Sequence, residues 1–174
     1  MKKAVLLSLI ITLTVFLVVE NFSSEDVFEA ELERVIDGDT IEVTFNGRTE
    51  SVRFIGIDTP EIHSENEPEY FQAVPETREG EECLEKWAEK STEHVERQLD
   101  TEKVRISYEG DRRDQYGRLR AHIYLPESED TLNYELVEKG YANVFPVEFE
   151  QREKFQEAEQ RAIENEKGLW ECRN

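Results

Sequence analysis

The chain has 174 residues, 37% of them hydrophobic and 10% aromatic, and carries a formal net charge of −20 at pH 7. That length suffices for one domain with a real core, and the apolar content excludes a chain held disordered by its own charge. So acidic a surface repels polyanions in dilute buffer, which sets the charge against a nucleic-acid partner unless the protein is halophilic and works in strong salt.

Met1-Lys2-Lys3 precedes an almost wholly apolar run from Ala4 to Val19, and the chain turns acidic at Glu20. This is the layout of an export signal, with a basic start, an apolar stretch and then the mature chain. The run is shorter than the ~20 residues of a spanning helix, yet no small-x-small cleavage site follows it. Residues 1–26 are therefore read as a signal peptide or an N-terminal membrane anchor, through residues 4–19, with a short tether. Residues 27–174 are the domain, either secreted or membrane-anchored, and in both cases outside the cytoplasm because the two lysines stay inside.

From Val27, apolar Phe28, Ala30 and Leu32 alternate with Glu29, Glu31 and Glu33, which predicts a first strand with one wet face. Ile41, Val43 and Phe45 alternate in a second, and Val52 to Ile57 is rich in β-branched and aromatic residues, a third. Asn46-Gly47 between them is a type I′ turn signal. This turn pairs Thr40 with Arg53, so Asp39 and Asp58 fall out of phase and a bulge or bend is needed to bring them together.

After Glu61 comes an acidic stretch, Ile62 to about Glu76, read as a solvated loop with substrate cover as the alternative. Leu84, Trp87, Ala88, Ser91, Val95 and Leu99 recur at helical spacing, predicting a helix from about Thr77 to Leu99. Val104, Ile106 and Tyr108 alternate in a fourth strand, Glu109 to Gly117 is a charged turn, and Leu119 to Leu125 is a fifth strand. Further helices are predicted over about Thr131–Lys139, ending at Gly140, and about Glu150–Lys167, with Leu169-Trp170 as a hydrophobic latch. Five strands with a helix between the third and fourth are the order of an OB-fold: a β-barrel with helices, of α+β class, with about three α-helices.

The hairpin joins two acidic knots, Asp37-Gly38-Asp39-Thr40 and Asp58-Thr59-Pro60-Glu61, with Arg53 on the intervening strand. Two carboxylates at one edge suit a hard cation such as Ca2+, and a guanidinium beside them suits bidentate phosphate binding. A Tyr-Gly-Arg turn, Asp114-Gln115-Tyr116-Gly117-Arg118, precedes the fifth strand at an end of the barrel where OB-folds bind nucleic acid. Cys83 and Cys172 form an even pair in an exported chain, read as a disulfide or as two separate buried thiols. His63, His94 and His122 are too scattered to make a metal site.

In Asp-Gly-Asp-Thr, the arginine five residues before Asp-Thr-Pro-Glu, the Asp-x-Tyr-Gly-Arg turn and the closing Gly168-Leu169-Trp170, the chain resembles the thermonuclease (staphylococcal nuclease-like) family. The resemblance implies Asp39 and Asp58 as Ca2+ ligands, with the Thr59 backbone carbonyl beside them. It implies that Arg53 and Arg118 grip the scissile phosphate, that Glu61 positions or deprotonates the attacking water, and that Tyr116 contacts substrate. The expected activity is Ca2+-dependent hydrolysis of DNA and RNA by a monomer, leaving 3′-phosphates. The chain departs from the family pattern at Gln115, where the pattern has lysine, and at Phe145-Pro146-Val147-Glu148-Phe149, where it has tyrosines near the base. Two rivals remain: a non-catalytic OB-fold module that binds nucleic acid or a protein, and an anchored Ca2+-binding structural protein.

Overall fold

The computed structural model describes residues 27–173, apart from residues 73, 126, 127 and 129. The signal or anchor expected over residues 1–26 lies outside this range, and no helix among the described residues is long and apolar enough to cross a membrane.

The strands are β1 (Phe28–Asp37), β2 (Thr40–Phe45), β3 (Arg48–Phe54), β4 (Ile57–Asp58), β5 (Lys103–Arg113), β6 (Leu119–Tyr124) and β7 (Asn143–Val144). The helices are α1 (Arg78–Gln98), α2 (Leu132–Glu138) and α3 (Arg152–Glu164), with 3-10 turns at Pro68–Tyr70 and Gly168–Arg173. Five strands close a barrel in the order β1-β2-β3-β6-β5, which is the predicted OB-fold. Its one parallel seam joins β3 to β6, and the small β4-β7 ladder stands apart from it.

Alternation fills the barrel as the sequence requires. Ile41, Val43, Val52, Ile106, Ala121 and Ile123 all point inward and are fully buried. Asn46 and Gly47 take φ of 50° and 73°, both positive as the tight turn demands, and the pairing of Thr40 with Arg53 follows. Thr77 caps α1 by accepting the Gly80 amide, and the buried stripe of Leu84, Trp87, Ser91 and Val95 turns inward. Leu84 and Leu169 meet Trp170, Phe71 and Val74 in a second, smaller core beside the barrel. Each fully buried leucine there contributes about 1.5–3 kcal/mol.

Four details differ from the sequence reading. The third strand stops at Phe54 and resumes as β4, because Gly56 bends the chain between them. The fourth strand runs on to Arg113 through a register shift, so the predicted turn is confined to residues 114–117. The last helix is shorter, Arg152–Glu164. The 62–76 stretch is partly packed: Asn66, Pro68, Phe71 and Val74 are buried.

The structure joins Cys83 on α1 to Cys172 in the last 3-10 turn by a disulfide, with Cα atoms 5.7 Å apart. The cross-link fastens the C-terminal turn to the second core, where Trp87 Nε1 also donates to Glu171 at 3.1 Å.

Candidate active site

The first knot is the reversal between β1 and β2. The Asp39 amide donates to Asp37 Oδ1 at 3.0 Å, the bond by which an aspartate imitates a backbone turn. A Cβ on Gly38 would lie 2.4 Å from Ser91 Oγ on α1 and 2.8 Å from Thr59 Oγ1, so only glycine lets the two knots and the helix approach this closely.

The second knot is brought back over the first by the bend after β3. Ile55 still donates its amide to Ala121 on β6 at 2.9 Å, and then Gly56, at φ +78°, turns the chain away. A side chain there would run into the Phe149 ring at 2.6 Å. Asn133 of α2 secures the junction, donating to Ile55 O at 3.0 Å and accepting the Ile123 amide at 3.0 Å. Ile57-Asp58 then pairs with Asn143-Val144. This is the bend that the register demanded.

Asp39 is fully buried, 0% exposed. Its Oδ2 accepts the Thr59 amide at 2.9 Å, and its Oδ1 accepts the Thr40 hydroxyl at 3.1 Å and one terminal nitrogen of Arg53. The other terminal nitrogen of Arg53 donates to Asp58. One guanidinium thus bridges the two carboxylates that the sequence singled out.

Negative charge is in excess here. Burial raises the Asp39 carboxyl well above the ordinary range, Arg53 opposes it, and Asp37 and Asp58 add to it by repulsion. Burial likewise raises Asp58 against the pull of Arg53. Glu61, half-buried, is raised by burial and then by Asp37, while Arg53 and Arg118 draw it down. Burial works to lower Arg53, yet Asp39, Asp58 and Asp37 together carry it above its usual value. Such a crowd is relieved by a further cation.

The donor set fits a hard ion held through two carboxylates, a backbone carbonyl and water. Among the described residues no three His, Cys, Asp or Glu side chains are grouped closely enough to hold a metal ion by themselves. Asp39, Asp58 and the Thr59 carbonyl could hold such an ion, in competition with Arg53.

Arg118 is held from behind. Asp114 Oδ2 accepts its Nε at 2.7 Å, and Asp114 Oδ1 accepts the amides of Arg118 and Tyr116, each at 2.9 Å. Burial works against the charge on Asp114, but the bonds from Arg118 outweigh it and leave the carboxyl below its ordinary range. Arg53, Arg118 and Arg120 line one open cleft with Tyr116 and Phe145. Tyr116 is 76% exposed and its ring lies 5.4 Å from the Arg118 guanidinium; Phe145 is 43% exposed.

Three residues here were given no role in the site by the sequence reading. Arg113 makes a two-pronged bond to Glu50, both prongs 2.9 Å, and donates to Gly117 O at 2.6 Å, tying the Arg118 turn to β3. Asn133 carried no signal beyond its place in a helix. Asn66 bonds the backbone of Glu61 on both sides, at 2.8 and 2.9 Å. Of these only Arg113 had a signal, as one more charge in the turn. His63 Nε2 lies 3.3 Å from Ile36 O.

A closed five-stranded barrel with carboxylates and arginines gathered at one rim defines an OB-fold protein with a charged polar site. The family model described as staphylococcal nuclease homologue matches residues 51–172, and the chain belongs to that family. It is 34% identical over 152 residues to an uncharacterised protein of Methanocaldococcus jannaschii, covering 84% of this chain and 73% of that one. It is 29% identical over 139 residues to a thermonuclease of Staphylococcus hyicus, covering 79% and 72%. It is also 30% identical over 151 residues to the SPbeta prophage-derived endonuclease YokF of Bacillus subtilis, covering 84% of this chain and 45% of YokF.

Proposed function

We propose that the chain is an exported, Ca2+-dependent phosphodiesterase that hydrolyses DNA and RNA and leaves 3′-phosphates. The observation that carries this reading is the meeting of Asp39, Asp58, Glu61, Arg53 and Arg118 in one electrostatic cluster. A module that only binds has no need of a carboxylate base beside two guanidinia and a cation site. The relatives named thermonuclease and endonuclease support the same class of chemistry.

Hydrolysis adds water to phosphorus and expels the 5′-oxygen, so charge accumulates on the phosphoryl oxygens in the transition state. Arg118, oriented by Asp114 through Nε, presents its two terminal nitrogens to those oxygens. Arg53, which lines the same cleft, reaches them when it turns from Asp39 and Asp58. Glu61 takes the proton of the attacking water; burial raises its affinity for a proton, which makes it a better base. Tyr116 offers an exposed ring beside the phosphate site for contact with the nucleotide. Asp39, Asp58 and the Thr59 carbonyl would hold Ca2+, which would supply positive charge for the phosphoryl oxygens.

Export is supported by the lysines and apolar run at the N-terminus and by the Cys83–Cys172 bridge, which suits an oxidising compartment. The domain acts as a monomer, free or anchored through residues 4–19.

The experiment is incubation of the protein with plasmid DNA and with RNA, in Ca2+ or in EGTA, followed by phosphatase treatment and end-labelling of the fragments. Cleavage only in Ca2+, with fragments that accept a 3′-label only after phosphatase, is the expected outcome. Binding without cleavage in Ca2+ supports the non-catalytic module instead.

A further inference from the structure

Between Glu61 and α1 the chain takes a long path with, among its described residues, only one short 3-10 turn on it, more than a connection needs. Near its start, Asn66 is 6% exposed, and its side-chain amide closes on a single residue. The Glu61 amide donates to Asn66 Oδ1 at 2.8 Å, and Asn66 Nδ2 donates to the Glu61 carbonyl at 2.9 Å. A carboxamide carries donor and acceptor side by side, so it pairs with Glu61 as a residue of a neighbouring strand would. Both peptide planes flanking Glu61 are thereby fixed, and its carboxyl group is aimed from a fixed Cα.

The rest of the segment keeps Asn66 in place. Pro68 is buried and opens the 3-10 turn, and the Tyr70 carbonyl accepts Asn143 Nδ2 at 2.9 Å beside β7. Phe71 and Val74 are buried in the second core with Leu84 and Trp170. The path is thus a splint that runs from the disulfide-tied core to the backbone of Glu61.

We propose that Asn66 is a positioning residue that holds Glu61 in line with the attacking water; this rests on the reading of Glu61 as the base. A misplacement of about 1 Å in such a group costs on the order of 10²-fold in rate. The test is a double-mutant cycle on Ca2+-dependent cleavage, with kcat, KM and melting temperature measured for each variant. Asn66→Ala is expected to lower kcat by about 10- to 100-fold while KM stays within about twofold. In the Glu61→Gln background the same change is expected to cost less than about twofold, because there is no base left to aim. Asn66→Asp, which keeps the acceptor for the Glu61 amide but has no donor for its carbonyl, falls between, and it carries the cycle if Asn66→Ala does not fold. An unchanged kcat in the Asn66 variant, or an equal loss in both backgrounds, overturns the proposal. Glu61→Gln with full turnover overturns the reading of Glu61 and the proposal with it; an inactive Glu61→Gln beside a fully active Asn66 variant overturns the proposal alone.

Discussion

Asp58 is the better of the two knot carboxylates on which to test the metal site. Asp39 is fully buried and takes hydrogen bonds from Thr40, Arg53 and the Thr59 amide, so its removal strands buried donors at about 1–3 kcal/mol each. Asp58 is partly exposed and pairs with Arg53. Asp58→Asn is therefore expected to lower Ca2+-dependent cleavage by roughly 10²-fold or more with little change in melting temperature. Wild-type turnover at the wild-type Ca2+ requirement would remove Asp58 from the ligand set. These carboxylates and arginines were legible because the residue types stand close together along one hairpin and one turn. Asn66 was not, since a loop asparagine has no pattern, and the Arg113–Glu50 bond joins residues 63 positions apart that only barrel closure brings together. A second test at this scale concerns His94, stacked on Tyr141 and bonded to Glu135 at 2.9 Å, with Lys139 and Arg97 also facing it. Burial lowers its pKa, against the pull of Glu135. The fold therefore favours the neutral ring, and this stability is present above the unfolded value of about 6.5 and lost as pH falls through the folded one. The gap in melting temperature between wild type and His94→Gln is expected to narrow from pH 7.5 to pH 5.5; a constant gap contradicts it.

Among the elements, the strands that alternate cleanly and the helices with one apolar face were readable, and their turns and caps agree with them. Thr77 and Thr131 both cap helices, as threonine before an apolar stripe suggests. What local pattern could not give was the break at Gly56, because Phe54 to Ile57 reads as one apolar run. The bend is imposed from outside by Phe149 and by Asn133, far along the chain. Likewise the charges of residues 109–113 read as a turn, while they lie in β5, which is irregular after Tyr108 and pairs with β6 again at Arg113 and Leu119. The Cys83–Cys172 bridge ties α1 to the final turn across a separation of 89 residues. In the chain-entropy account such a loop contributes roughly 4–5 kcal/mol through the unfolded state. Reduction is expected to lower the melting temperature by on the order of 10 °C, and the non-reduced denatured protein is expected to show no titratable thiol. Two titratable thiols in that sample would contradict the bridge.

Over the whole molecule the charge is lopsided. The outer face of α1 alone exposes Glu79, Glu81, Glu82, Glu85, Glu89, Glu93 and Glu96, while Arg53, Arg118 and Arg120 line the cleft. A net charge of −20 makes the fold repel itself and its polyanionic substrate at low ionic strength. At 1 M salt the Debye length falls to about 3 Å, which screens both repulsions and leaves short contacts in the cleft far less affected. Counterion release acts in the opposite direction and weakens phosphate binding as salt rises. With the acidic surface dominant, stability is expected to rise between about 0.05 M and about 2 M KCl, as the screening length shortens, and cleavage to hold or rise. Equal stability in both, with fastest cleavage in the dilute buffer, would mean that the surface is not a salt adaptation. The barrel order was legible at this scale because five strands and an intervening helix admit few closures; the second core was not, because residues 71–87 and 162–172 that build it are far apart along the chain. The central claim is that the two cleft arginines do chemistry rather than merely hold nucleic acid. Its most direct measurement is single-turnover cleavage of a labelled oligonucleotide by wild type, Arg53→Lys, Arg118→Lys and Arg112→Lys, with binding followed in the same samples. A lysine cannot reproduce the fork that grips two phosphoryl oxygens, so the first two variants are expected to lose roughly 10²-fold or more in rate with much smaller losses in binding. Arg112, stacked over Tyr108, is expected to tolerate lysine. Small, equal losses in all three variants would contradict the account and leave a diffuse binding surface in its place.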